Sequence, residues 1–366
     1  MQKLPGLNGL RAIAASVVLI GHVYQIADYF GYKRPAFYLS LFEGGYDMVN
    51  LFFVISGFII TYLLLSEKKI TNTISLSRFY YKRILRIWPL YFLIILIVFI
   101  LGNYTTLYDI FEKLTTGSLL ILLFFIVAIN KAFLYHPIEG LPHYWSLSVE
   151  EQFYIFWPLA VKKLNIYKFS VWLIIVWVFV RNLFALMSSQ VPDNNIYAGL
   201  NLILYETKFP SMAIGAIGAF AVINKKHWFD IFQGIYFQVL IWLLFVLSFS
   251  IPSYIPYINF EIKAFLYLLI ILSVSINPKP LIQLETKFFD LTGRISYGLY
   301  MFHWPVIALI ILGLKKAGLI GYFLQFHFAP LVIFSYLLTF IISYFSYVFI
   351  ESYFLRKKPV GYFSGS

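Results

Sequence analysis

The sequence has no cysteine, and only 12% of its 366 residues are charged. The first absence excludes a disulfide framework, a cysteine-ligated metal and a protein-bound thioester, so a covalent intermediate would need another nucleophile. The second excludes an ordinary soluble domain, in which about 25% of residues carry charge. No Walker A loop, HExxH helix, nucleophile elbow or Rossmann glycine pattern occurs, which removes several familiar enzyme classes. No linker, low-complexity tract or appended soluble domain is visible, so the chain reads as one membrane domain over 1–358, with 359–366 a short polar tail.

What the sequence has in abundance is apolar surface: 61% of residues are hydrophobic and the mean hydropathy is +0.81. Runs such as Leu90 to Leu101, Trp172 to Val180, Val239 to Phe249, Ala264 to Ile276 and Pro330 to Ile350 recur along its length. Several approach the roughly 20 residues that a bilayer-spanning helix needs. They are apolar on every face, without the alternation of a transmembrane barrel, and an all-α polytopic bundle follows. The 15 Pro and 21 Gly do not oppose it, because neighbouring helices re-satisfy freed backbone groups.

About ten spans are expected, near 8–28, 48–66, 84–102, 145–161, 169–187, 200–223, 231–251, 262–277, 295–314 and 328–352. Lys3 and Arg11 ahead of the first run resemble a signal peptide, but the run continues to about Ala27 with no small-residue cleavage site, so an uncleaved first span is expected. The shorter run within 117–134, Leu119 to Ile129, suits a re-entrant or interfacial segment. If it does not cross, Lys3, Lys68, Lys69, Arg78, Lys82, Arg83, Arg86, Lys162, Lys163, Lys168, Lys225, Lys226, Lys279, Lys287, Arg294, Arg356, Lys357 and Lys358 share one side. The other side keeps Lys33, Arg34, Lys113, Lys131, Lys263, Lys315 and Lys316. That bias puts both termini in the cytoplasm. Basic loops beside anionic lipid then account for most of the +12 net charge, and no nucleic-acid partner is implied.

A charge at the bilayer centre costs at least about 2.5–3.5 kcal/mol, so ionisable residues inside spans usually face a cavity or a partner. Arg11 and His22 stand eleven residues apart on the first span, nearly on one face and about 16 Å apart along its axis. A neutral imidazole can accept a hydroxyl proton or be acylated; a packing histidine is the bland account. Arg83 and Arg86, at i and i+3 before the third span, suit a phosphate or pyrophosphate such as that of coenzyme A, although a basic anchor on lipid would look the same. Pro89 is expected to kink that helix.

In Trp145-Ser-Leu-Ser-Val-Glu150-Glu151-Gln-Phe-Tyr154, adjacent acids cannot both face one site. Glu150 is the inward candidate, at a depth comparable with His22, where it could polarise the imidazole, contact a sugar hydroxyl, or simply pair with Arg11 or Arg181. His303, before Pro305, suits packing and cavity lining equally. Asp47 and Asn50 suit capping at a span entrance.

The order Gly9-Leu-Arg11 with His22, Val49-Asn-Leu-Phe-Phe-Val-Ile-Ser-Gly57, Arg83-Ile-Leu-Arg86, Trp145 to Tyr154, Ile295-Ser-Tyr-Gly-Leu-Tyr-Met-Phe-His303 and Ile350-Glu351 closely resembles the membrane-bound acyltransferase-3 family, from residue 4 to about 355. That resemblance implies a bacterial inner-membrane O-acyltransferase of the stand-alone form. Such an enzyme moves an acyl group, usually acetyl from acetyl-CoA, to a hydroxyl of cell-envelope or secreted polysaccharide such as O-antigen, or of its lipid-linked precursor. It implies no metal. The family's essential histidine falls on His22, its acidic motif on Glu150, its acyl-CoA arginines on Arg83 and Arg86, and its Gly-Leu-Arg arginine on Arg11. Asn50 stands where many members carry Asp, and Ala12 where many carry Gly. The competing class is a transporter or flippase whose intramembrane charges line a path; against it, no duplicated halves are found.

Overall fold

The computed structural model describes residues 4–29, 45–104, 114–127, 138, 140–191, 195–224, 231–232, 234–250, 258–326 and 328–357. The expected tail 359–366, residues 128–134 of the short apolar segment, and Lys3, Lys33, Arg34, Lys113, Lys131, Lys225, Lys226 and Lys358 lie outside them. Among the described residues there is no strand.

The helices are α1 (Leu7–Tyr29), α2 (Gly45–Thr71), α3 (Leu76–Tyr104), α4 (Thr116–Leu123), α5 (Tyr144–Lys163), α6 (Ile166–Gln190), α7 (Asn195–Glu206), α8 (Phe209–Ile223), α9 (Ile235–Ser250), α10 (Asn259–Ser275), α11 (Lys287–Arg294), α12 (Ser296–Lys316), α13 (Ile320–Phe326) and α14 (Phe328–Ser346). A π-helical turn, Tyr347–Glu351, joins α14 to α15 (Ser352–Arg356). Among the described residues, six stretches are long and apolar enough to cross a membrane: Leu7–Ile26, Asp47–Thr71, Leu76–Tyr104, Ile166–Gln190, Ser296–Lys316 and Phe328–Arg356. The other expected spans are also helical, but α9 and α10 have 16 and 17 residues and α5 carries Glu150 and Glu151. The expected span 200–223 is two helices. Pro210 has no N–H for the Glu206 carbonyl four residues earlier, so the helix stops and restarts around Thr207 and Lys208.

Caps mark several starts. Thr115, Asn165 and Thr286 each accept a hydrogen bond from a backbone N–H three residues on. With eight residues, α4 rises only about 12 Å. It is tied to the bundle by Tyr91, whose hydroxyl donates to the Leu122 carbonyl at 2.8 Å.

Without water to drive apolar helices together, close backbone approach carries much of the packing. The tightest case is α2 against α8: a Cβ on Gly57 would lie 2.0 Å from the Met212 carbonyl oxygen, and one on Gly215 2.1 Å from that of Val54. In α6, Trp172, Ile175, Phe179, Leu183 and Leu186 form an exposed apolar stripe suited to lipid, while Arg181 on the other face is buried. Two of the basic connections, α2–α3 and α5–α6, meet at one pole. Lys68 donates to the carbonyls of Val161 and Lys162 at 2.8 and 2.9 Å, and Lys162 donates to that of Ile74 at 3.1 Å. Satisfying these carbonyls ends α5 beside the α2–α3 connection.

Candidate active site

Two polar groups occupy the bundle interior at different levels of α1, one around Arg11 and one around His22. The arginine group draws on five elements. Arg11 has Arg86, Glu150, Tyr154 and Arg83 as its electrostatic neighbours, and Arg86 has Arg83, Glu351, Tyr154 and Tyr347. The Arg83 guanidinium carbon lies 5.3 Å from the centre of the Tyr154 ring and 5.7 Å from that of Phe79, close enough for cation–π attraction. The Tyr154 hydroxyl hydrogen-bonds to Ser56. Three guanidiniums are thus gathered on aromatic and hydroxyl supports, with Glu150 and Glu351 as their counter-charges.

Local structure explains how each side chain gets there. The Tyr80 hydroxyl donates to the Ile155 carbonyl at 2.6 Å and that of Tyr297 to the Ile87 carbonyl at 2.8 Å, so α3 is clamped to α5 and α12 on either side of the arginine pair. The adjacent acids part company as helix geometry requires: Glu150 faces Arg83 and Arg11, and Glu151 accepts from the Trp88 indole at 3.3 Å. Glu351 closes the π-helical turn, whose extra residue per turn shifts the register of the following side chains. Its Oε1 is buried, and the Ser346 hydroxyl faces the carboxylate without meeting hydrogen-bond geometry. Sequence reasoning quoted Ile350-Glu351 but gave Glu351 no role, because a π turn leaves no periodic signal.

The second group is a trio of histidines. The Nδ1 of His22 lies 3.0 Å from the Nε2 of His303. His303 Nδ1 lies 2.6 Å from the Tyr300 carbonyl oxygen, and the ring centres of His303 and His143 are 4.7 Å apart. Tyr300 in turn donates to the His143 carbonyl at 3.1 Å, with the Ser146 hydroxyl 2.6 Å away. Pro305 has no N–H, which releases the Met301 carbonyl four residues earlier. That carbonyl faces the His143 ring, yet neither His143 nitrogen meets hydrogen-bond geometry. His143 and His303 are 2% and 0% exposed, whereas His22 is half-buried. Of the three, His22 is the one with surface left for a reactant.

Several expectations change here. His303, expected to pack or line a cavity, touches His22 directly; His143, at the N-terminus of α5, was not singled out at all. Glu150 is not at the level of His22. Ser146 sits with the histidines, and Glu150, one turn further along α5, faces the arginines instead. The first turn of α5 begins beside the histidines rather than above them, which moves the carboxylate about 6 Å past them. Arg181 is not its partner either: it meets Glu261 at 2.9 Å. Asp47 pairs with Lys263 at 2.6 Å, and Asn50 donates to the Phe260 carbonyl at 3.0 Å, so both join α2 to α10.

A family model for an acyltransferase domain, acyltransferase 3, matches residues 4–348. The chain belongs to that family. An acyltransferase-3 chain is 30% identical over 381 residues to the O-acetyltransferase OatA of Staphylococcus aureus strain NCTC 8325 / PS 47, covering 97% of the present chain and 57% of OatA. It is 28% identical over 339 residues to the chain named "Putative O-acetyltransferase SACOL0978" of S. aureus strain COL, covering 85% of this chain and 52% of that one. The present acyltransferase-3 chain therefore spans little more than half the length of these relatives. No solved structure matches it. The match describes this region as an acyltransferase domain. Among the described residues no group of three or more His, Cys, Asp or Glu could hold a metal ion.

Proposed function

We propose that this chain is a membrane O-acetyltransferase that takes its acetyl group from acetyl-CoA, the acyl-CoA bound at the arginine group, and delivers it at His22 to a carbohydrate hydroxyl. The observation that carries this is the placement of both groups on α1: Arg11 belongs to one and His22 to the other, about three turns apart on one face. Guanidiniums match phosphate oxygens through paired N–H donors, so Arg83, Arg86 and Arg11 suit the phosphates of coenzyme A. The pantetheine arm then carries the thioester along α1 toward His22. Glu150 and Glu351, which face these cations, orient them and limit their repulsion before the donor arrives.

The arginine group lies toward the pole where those two basic connections meet, which we take as the cytoplasmic face of a bacterial inner membrane. The acceptor, a surface or secreted polysaccharide or its lipid-linked precursor, enters from the opposite face. His22 takes the proton of the acceptor hydroxyl as its oxygen attacks the thioester carbonyl. The C–O bond forms, the C–S bond breaks, and the imidazolium returns its proton to the departing thiolate. In a covalent version the His22 nitrogen attacks the thioester and expels the coenzyme A thiolate, and the acceptor oxygen then displaces the imidazole, its proton passing to the thiolate.

Purified chain in nanodiscs with acetyl-CoA tests this by release of coenzyme A thiol, since the protein itself has no cysteine to react with the thiol reagent. Mass spectrometry of surface glycans from cells with and without the protein identifies the product. Loss of thiol release and of glycan O-acetyl groups in His22→Ala is the expected result; full retention of both would overturn the proposal.

A further inference from the structure

We propose that His303 is a positioning residue that locks His22 in its Nδ1–H tautomer and thereby leaves the His22 Nε2 lone pair free to act; this rests on His22 being the acyl-transfer centre. The argument runs from one proton to the next. A neutral imidazole carries its single proton on one of two nitrogens, and the partner of one nitrogen fixes the role of the other. His303 Nδ1 lies 2.6 Å from the Tyr300 carbonyl oxygen, which can only accept, so His303 Nδ1 carries the proton. His303 Nε2 is then an acceptor. It lies 3.0 Å from His22 Nδ1, which must donate. His22 Nε2 is left bare.

The Val18 carbonyl, one turn before His22 on α1, also faces the ring. The Trp304 indole packs edge-on against His22 with ring centres 5.5 Å apart, which limits rotation of the imidazole. Because His303 is fully buried while His22 keeps accessible surface, His303 acts through His22 and does not itself meet a reactant.

Full-length protein labelled with 15N-histidine, in nanodiscs, tests the assignment. Of the six histidines, His22 is identified by the signal that His22→Gln removes. We expect wild type to show His22 protonated at Nδ1 and bare at Nε2. In His303→Gln, the side-chain amide oxygen can take the place of Nε2, so the tautomer and most of the thiol release from acetyl-CoA should survive. In His303→Asn the amide is too short to reach His22. The tautomer preference should be lost there, and kcat should fall at least tenfold with KM for acetyl-CoA within about twofold. A bare Nδ1 in wild type, or an unchanged His22 tautomer in His303→Asn, overturns the assignment. If the tautomer results hold while His22→Gln keeps full thiol release, it is the role of His22 that fails, and the positioning of its ring stands.

Discussion

Arg181 and Glu261 meet through two parallel N–H···O contacts, at 2.9 and 3.1 Å, joining the middle of α6 to the first turn of α10. The pair is buried and separate from both groups on α1. Its fork-to-fork geometry satisfies two charges that neither lipid nor protein interior would tolerate singly. Glu261→Gln takes both carboxylate contacts from the buried guanidinium, and removing one partner of a buried pair costs about 3–5 kcal/mol. Replacing both, as in Arg181→Met with Glu261→Leu, should cost far less. The expected outcome is a large drop in thermal stability for the single variant, recovery in the double, and wild-type thiol release per folded molecule in both.

Gly57 ends the stretch Val49 to Gly57, one of the motifs that carry the family resemblance. Its position against Met212 gives it a packing reason instead: a Cβ would be 2.0 Å from a carbonyl oxygen. Gly57→Ala must push α2 from α8, at about 1–3 kcal/mol for an overpacked interface. Lower yield and a lower unfolding temperature are expected. If the neighbouring Ser56 and its bond to Tyr154 survive, acetyl-CoA affinity in the folded fraction stays near wild type. Unfolding monitored in detergent, beside the same measurement on Gly215→Ala, checks this.

These contrasts mark what could be seen in advance. Apolar runs located the long helices, because hydropathy is a sum over many residues and tolerates local exceptions. The break around Thr207 and Lys208 had its signal in Pro210. Depth was harder. Arg11 and His22 lie on one helix, so their spacing follows from rise per residue, and His22 does lie about three turns from Arg11. Glu150 lies on another helix, whose vertical offset no sequence period encodes, and it falls among the arginines. His143 lies just before α5 and not on a periodic face, so nothing marked it as the neighbour of His303.

Arg83 and Arg86 should act on donor binding rather than on the chemical step. A hydrogen bond to a charged group contributes about 1.5–3 kcal/mol, which corresponds to roughly tenfold to a hundredfold in affinity. Arg86→Gln and Arg83→Gln are each expected to raise the dissociation constant for acetyl-CoA within that range. Arg83→Lys should recover only part, because an ammonium cannot reproduce the paired donors or the contact with the Tyr154 ring. Calorimetric titration in nanodiscs, repeated with dephospho-coenzyme A, reports the change. Unaltered affinity in both Gln variants would move the donor site elsewhere.

His143 presents the opposite case to Arg181: a buried polar ring whose nitrogens are unbonded rather than paired. An unsatisfied buried polar group costs about 1–3 kcal/mol, and replacing it by an apolar group of similar shape is neutral or stabilising. The ring packs edge-on against Tyr144 and Tyr300 and tilted against His303, a setting that an aromatic hydrocarbon fits. His143→Phe should therefore unfold at the wild-type temperature or above it. The Met301 carbonyl, freed by Pro305, supplies the counter-test. If that carbonyl accepts a proton from His143 in the folded protein, His143→Phe removes a buried hydrogen bond and the unfolding temperature falls by several degrees. The sign of the shift thus decides whether the ring is bonded to its own protein or holds its nitrogens open toward His303 and the site beyond.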